Sequence, residues 1–201
     1  MARATSAAIE ASVQRLTAGK SPRDARVAVF DFVRDIPYDY PASRDPTEVL
    51  AAGRGSCSGK HALLAEMLVA MGYPTKLMYA RYDMGDLPVE WPPQLQRTLV
   101  EEHIIDIHNF VRADFGGRWV TLDVTWDAAL APYRFPVNLD WDGESDTVIA
   151  AGQCEPFEAD QTQLQTEKEA LLREMAPEVY DRRRQALEAL ATWLRQLRGE
   201  T

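Results

Sequence analysis

The sequence predicts an α+β fold: helices first, an antiparallel sheet next, helices last. Three stretches carry that expectation. Residues 57–72 are apolar nearly all round from Ala62 to Met71, as a buried helix requires, and stop at Gly72 ahead of Pro74. Two strand-like runs, His103–Asp114 and Arg118–Thr125, flank Gly116-Gly117, a pair suited to a tight hairpin turn. Near the end, Val179, Ala186, Leu190, Leu194 and Leu197 recur at helical spacing. A chain of 201 residues can bury one sizeable core, so a single domain over 1–201 is expected.

The elements follow in order. Residues 5–18 form a short helix that Gly19-Lys20 ends. Ser21-Pro22-Arg23-Asp24 opens a second helix, with Ser as cap, Pro at the first position and an acid behind it. That helix stops before Pro37, and Ile36–Pro41 is extended or turned because two prolines bracket it. Residues 42–56 read as a loop holding a short helix near Pro46–Ala52, and Gly53-Arg54-Gly55-Ser56 as a turn. The helix beginning at Cys57 comes next, then a strand over Thr75–Tyr82. Residues 83–100, with Pro88, Trp91, Pro92 and Pro93, read as a long excursion of the kind that forms a lid. Residues 126–160 are expected to be mostly irregular, anchored by Trp126, Trp141 and Phe157, before a helical extension over about 160–198.

Composition excludes several classes. A net charge of −9 would repel a phosphate backbone, so nucleic acid is not an expected partner. No apolar run reaches membrane-span length, and Glu10 and Gln14 interrupt any signal core, so no membrane partner and a cytoplasmic location are expected. Cys57 and Cys154 are too few for a disulfide scaffold. A single bridge between them is the less favoured reading.

Cys57 has the position of a nucleophile. It follows a glycine-rich turn and starts a helix, where unpaired N–H groups and positive partial charge favour thiolate. The bland alternative is a small buried apolar residue. Three histidines compete to be its base. His61 lies one helical turn on and reads as a surface or packing residue; a Cys57/His61 metal pair lacks further ligands. With Gly116-Gly117 as a two-residue turn, Phe115 pairs with Arg118, His108 lies opposite Thr125, and Phe110 lies opposite Asp123. His108 and Asp123 then share a sheet face as diagonal neighbours about 7–8 Å apart, within side-chain reach. Asp123 can take one ring nitrogen while the other faces the thiol. His103, five residues before His108, falls on the other strand face.

These blocks resemble the core of the transglutaminase-like superfamily, a branch of the papain-like thiol enzymes. The resemblance rests on Gly53-Arg54-Gly55-Ser56-Cys57 with its helix and Met71-Gly72-Tyr73-Pro74 exit, on His108-Asn109-Phe110-Val111, and on Trp119-Val120-Thr121-Leu122-Asp123-Val124-Thr125. Ile36-Pro37-Tyr38 resembles the short segment ahead of that core, and the match spans about 34–126. Asn109 stands where the family often has an aromatic residue, and Val124 where it often has proline. The resemblance implies a nucleophile helix packed on an antiparallel sheet, with extra helices at both ends. It implies Cys57, His108 and Asp123 as catalytic groups, and Tyr38, Ser56 and Trp126 as oxyanion or substrate candidates. The chemistry implied is acyl transfer from a carboxamide, peptide or ester through a Cys57 thioester, with no metal and no cofactor. The acceptor would be water or an amine, and the substrate a peptide, a protein or a small amide. The competing reading is a catalytically silent binding or scaffold module on the same fold. The Val179–Leu197 stripe could join a homodimer, although packing on its own core is favoured, and Arg182, Arg183 and Arg184 read as a solvated face.

Overall fold

The computed structural model describes residues 5–152, 154–158, 164–174 and 176–200. The outer limits of the expected 1–201 domain, and residues 160–163 at the start of the expected C-terminal extension, lie outside the described residues. The architecture is the α+β arrangement expected. Helices α1 (Ala7–Thr17), α2 (Pro22–Arg34), α3 (Pro46–Ala52) and α4 (Cys57–Ala70) come first. Strands β1 (Thr75–Asp83), β2 (Ile105–Asp114), β3 (Trp119–Leu122) and β4 (Glu155–Glu158) form an antiparallel sheet in the order β3-β2-β1-β4. Between β1 and β2 runs a short helix α5 (Pro93–Leu95), and the chain closes with α6 (Leu164–Arg173) and α7 (Pro177–Leu197).

Local chemistry sets the helix starts. Ser6 and Ser21 accept from Ile9 N–H and Asp24 N–H, and the Asp45 carboxylate accepts from Thr47 and Glu48 N–H. Pro22 and Pro46 sit where a missing N–H is harmless. Gly53 ends α3 in the left-handed conformation, at φ 63.

Helix α4 is the organising element. On one side it meets α1, α2 and α3, on the other β1 and β2. Ile9, Val29, Phe30, Val33, Leu63, Leu64, Met67 and Leu68 pack there with Leu77, Val111, Val120 and Leu122 from the sheet. The close approach to α3 falls at Gly59. A Cβ there would sit 2.4 Å from the Ser43 carbonyl oxygen and 2.7 Å from Val49 Cγ2. Gly59→Ala is therefore expected to lower stability by about 1–3 kcal/mol in urea unfolding, through overpacking. An unchanged midpoint would mean that α3 and α4 can part at no cost.

The opposite sheet face carries a second core. Met78, Ala80, Tyr82 and Phe110 pack there with Ala186, Leu187, Leu190 and Leu194 of α7. The apolar stripe of α7 thus covers the chain's own core, and a homodimer through this helix would have to use its other face. Arg183 corrects the sequence reading: it is buried, not part of a solvated face, while Arg182 and Arg184 are exposed.

Residues 83–100 differ most from expectation. Met84, Leu87, Val89, Trp91, Leu95 and Leu99 are all buried, and Trp91 stacks near Phe135 and Trp193. The segment is a packed wall rather than an open lid, because its apolar residues find α7 beneath them. Strand β2 starts at Ile105, not His103, since His103 has φ 52 and turns outward to bond Asp83 at 2.8 Å. The partner strand pairs only over Trp119–Leu122, short of the expected Thr125. Trp126 and Trp141 are buried as expected, whereas Phe157 is exposed, resting on the Tyr79 ring at 5.5 Å. Residues 126–160 also hold a 3-10 helix, Ala128–Tyr133, and β4. No helix of the described residues is long and apolar enough to cross a membrane.

Candidate active site

The hairpin turn has the two-residue form. Phe115 N–H donates to the Arg118 carbonyl at 3.0 Å, and Val111 faces Leu122, the register expected from Gly116-Gly117. Asp123 lies one residue past the last pair of that ladder. It reaches His108 directly: His108 Nε2 and Asp123 Oδ2 are 2.6 Å apart, and both residues are about 1% exposed.

Asp123 is fixed from several sides. Its Oδ2 also accepts from Ala150 N–H at 2.9 Å, and its Oδ1 accepts from Thr125 N–H at 2.9 Å. Asn138 Nδ2 donates to its carbonyl at 3.0 Å. Burial would raise this carboxyl, but the His108 imidazole outweighs burial and holds it well below the usual carboxylate range. An ionised Asp123 bonded to Nε2 leaves Nδ1 of His108 for Cys57.

Cys57 is the first residue of α4 and only 6% exposed. Burial pushes its thiol up. The Lys168 ammonium and a hydrogen bond with His108 prevail and bring it down to about 6. Burial likewise pulls on His108, yet Asp123 and Cys57 together raise it to about 10. The two shifts run in opposite senses, and both favour the thiolate–imidazolium form of the pair. Both cysteines are free; Cys154 is half-buried, and burial with the Asp123 charge nearby pushes its thiol up.

The helix that carries Cys57 also grips the acid's strand. His61 is fully buried, with Nδ1 2.7 Å from the Cys57 carbonyl, and its Nε2 accepts from Val124 N–H at 3.0 Å. An acceptor at Nε2 leaves the Nδ1 proton facing the Cys57 carbonyl. His61 is the packing residue of the two readings given to it. Lys60 next to it donates to the Arg34 and Thr125 carbonyls, each at 2.9 Å, and burial pulls its ammonium down to about 7. Two consecutive side chains of α4 thus hold the backbone on the C-terminal side of Asp123. Cys57 and the strand that carries Asp123 are positioned by the same helix.

The other candidates divide. Tyr38 and Ser56 line, with Cys57, Asp106, Lys168 and Arg183, a cavity of about 540 Å³ in front of the sulfur. Backbone bonds between Gly55 and both Pro37 and Asp39, each 3.1 Å, lay Ile36–Tyr40 along the turn ahead of Cys57. Burial and the Cys57 charge push the Tyr38 hydroxyl well above its usual range, so it stays a donor. Ser56 caps α4 without a side-chain bond. Trp126 does not line the cavity. It packs behind Tyr38 at 4.8 Å between ring centres, its indole N–H buried without a partner among the described residues. His103 stands apart, exposed at the far end of β2. Among the described residues no cluster of three His, Cys, Asp or Glu side chains is arranged to hold a metal.

Sequence reasoning missed Lys168, Ser58, Asn109 and the Asp106–Arg183 pair. Only Asn109 left a signal, as a polar residue in an aromatic position. Lys168 sits in a Gln- and Glu-rich stretch 111 positions from Cys57, where no local pattern points to the site.

A search of curated proteins finds no match. Among solved structures, a provisionally assigned cysteine protease from Cytophaga hutchinsonii is 14% identical with a TM-score of 0.45, over 76% of this chain and 51% of that one. A protein described as a TGase is 17% identical with a TM-score of 0.41, over 60% and 31% respectively. A provisionally assigned protease from Parabacteroides distasonis is 20% identical with a TM-score of 0.40, over 57% and 22%. The aligned part is about half of the first of these proteins and less of the others. The family model described as transglutaminase-like superfamily matches residues 10–124, starting N-terminal to the 34–126 core expected from the motifs. That stretch is more than half of the chain and takes in Cys57, His108 and Asp123 together, and the chain belongs to the transglutaminase-like superfamily.

Proposed function

We propose that this protein is a thiol-dependent acyl-transfer enzyme acting on a carboxamide, peptide or ester, with Cys57, His108 and Asp123 as its catalytic groups. One observation carries the reading: the 2.6 Å Asp123–His108 bond turns the free ring nitrogen toward a thiol already brought down to about 6. The Cys57 thiolate attacks the substrate carbonyl, and the electron pair of the C=O bond moves to oxygen. Cys57 N–H, at the first position of α4, has no acceptor within the helix and donates to that oxyanion; the Tyr38 hydroxyl is the side-chain candidate beside it. His108 gives its Nδ1 proton to the leaving amine or alcohol as the carbonyl re-forms, leaving a thioester. Water or an amine then attacks, with His108 taking the proton and Cys57 departing as thiolate. A peptide or protein side chain is the favoured substrate. The cavity, which Tyr38 and Tyr40 help to line, is large enough for a residue rather than a whole domain.

The test combines labelling with turnover. Iodoacetamide at about pH 6 and about pH 8 is expected to modify Cys57 readily at both, ahead of Cys154, because the thiolate is already populated near 6. Cys57→Ala is expected to abolish turnover across a panel of amides and peptides offered with and without amine acceptors. Cys57 labelling no faster than a free thiol, or turnover surviving in Cys57→Ala, would leave a binding module on this fold as the better account.

A further inference from the structure

A second cation stands beside the sulfur, and it belongs to neither His108 nor α4. Lys168 Nζ lies 4.0 Å from Cys57 Sγ, 2.8 Å from Ser58 Oγ and 2.6 Å from Asn109 Oδ1. Ser58 Oγ donates to the same Asn109 oxygen at 2.8 Å, so Ser58 and Asn109 both present lone pairs to the amine. Three acceptors stand around three ammonium hydrogens, which is the complement of a charged lysine rather than of a nucleophilic amine. Lys168 is only 3% exposed, and a buried ammonium persists only where such partners exist.

The placement is specific. His108 and Asn109 point to opposite faces of β2, yet both meet the tip of α4, His108 through Cys57 and Asn109 through Ser58. The polar residue at 109, where an aromatic one was expected, is what receives the lysine. Lys168 lies one helical turn before Leu172, whose side chain packs with Tyr79 and Ile107 on the sheet. The face of α6 that docks on the sheet is therefore the face that delivers the ammonium. Lys168 also lies outside the stretch 10–124 matched to the family.

We propose that Lys168 is a further functional residue of this site, a cation supplied by the C-terminal segment that holds the Cys57 sulfur as thiolate, so that the nucleophile is fully activated only when α6 is docked. The proposal rests on the reading of Cys57 as nucleophile and deepens it. In the resting site the thiol proton resides on His108 Nδ1; burial pulls the Lys168 ammonium below its ordinary value, the Cys57 and Asp106 charges oppose that pull, and the lysine keeps its protons. When the thioester breaks down, the C–S bond opens with its electron pair on sulfur, and the same ammonium stabilises the departing thiolate. The other groups facing this pair are Asp106 on β2, Tyr38, Tyr82 on β1, Arg183 on α7 and Arg44. Asp106 opposes the thiolate, but it is bound at 2.5 Å by Arg183.

The experiment is the pH profile of Cys57 alkylation by iodoacetamide in the full chain, on a Cys154→Ser background. Wild type is expected to turn over near pH 6. Lys168→Met and Lys168→Gln are expected to move that inflection up by about 1–3 pH units, with rates about tenfold or more lower near pH 6 and converging in alkali. Profiles that coincide with wild type would overturn the proposal, because a packing role moves the melting temperature and leaves the inflection in place. Should both variants fail to fold by circular dichroism, Asn109→Ala removes the lysine's anchor without touching the lysine. Its inflection is expected to rise in the same direction, and an unmoved one would equally overturn the proposal. Alkylation reads the thiolate and not turnover, so a shifted profile in a protein that transfers no acyl group would leave this inference standing while the enzyme reading fell.

Discussion

On the proposed mechanism, Asp123→Asn is expected to lower kcat by about four orders of magnitude, with KM little changed, because it removes an interaction made to His108 and not to substrate. The geometry leaves the amide no good orientation. Oδ2 accepts from both His108 and Ala150 N–H, and Oδ1 accepts from Thr125 N–H. With its NH2 toward His108, the asparagine donates to Nε2, forces the proton onto Nδ1, and opposes Ala150 N–H. With its NH2 toward Thr125, it sets two donors against each other. Either way His108 loses the charge that raises it to about 10, and the imidazolium beside Cys57 is lost at neutral pH. The variant should also lose part of its pH-dependent stability. Asp123, depressed in the fold, contributes stability present above the carboxylate's unfolded value and lost as pH falls through its folded one. His108, raised, contributes stability fully present below its unfolded value near 6.5 and lost as pH rises through about 10. Urea unfolding across pH should show both limbs flattened. Wild-type kcat in the variant would remove Asp123 from the mechanism.

Arg183→Met is expected to cost about 3–5 kcal/mol of stability. Arg183 and Asp106 are 2.5 Å apart, with side chains 6% and 4% exposed, and Arg183 Nε donates to Asp106 Oδ1 at 2.7 Å. Burial raises the Asp106 carboxyl, but Arg183 outweighs it and keeps it below its usual value. Removing the arginine strands a buried carboxylate, whereas removing both charges does not. Asp106→Leu combined with Arg183→Met should therefore recover most of the loss. In wild type the pair's contribution is present above the unfolded carboxylate value and is lost as pH falls through the lower folded one. In the single variant Asp106 titrates upward, so the deficit should be largest near neutral pH and shrink in acid. A double variant no more stable than Arg183→Met would show that shape, and not charge, accounts for the loss.

The Gly116-Gly117 turn shows why part of the site could be read directly. A two-residue turn has one register, and that register alone puts His108 and Asp123 on one face of adjacent strands. Cys57 was legible for a similar reason, since a glycine-rich turn before an apolar helix places its residue at the helix tip whatever surrounds it. The strand ends were less legible. His103 leaves the ladder because a left-handed residue cannot continue it, and nothing in its neighbours announces that. The wall built by residues 83–100 looked like a lid because its prolines are a local signal, while the α7 surface beneath its apolar residues is not.

What the sequence by itself determined was the α+β order, the turn that faces His108 with Asp123, and the thiol at the tip of a buried helix. Each follows from periodicity, capping and turn chemistry, which act over a few residues. Only the tertiary structure decided that Lys168 and Arg183 point inward, that Asn109 receives the lysine, and that Lys60 and His61 clamp the strand behind Asp123. Those contacts join residues tens of positions apart. A charged side chain becomes part of an interior only where the fold happens to bring it partners, and burial without partners would have kept it outside.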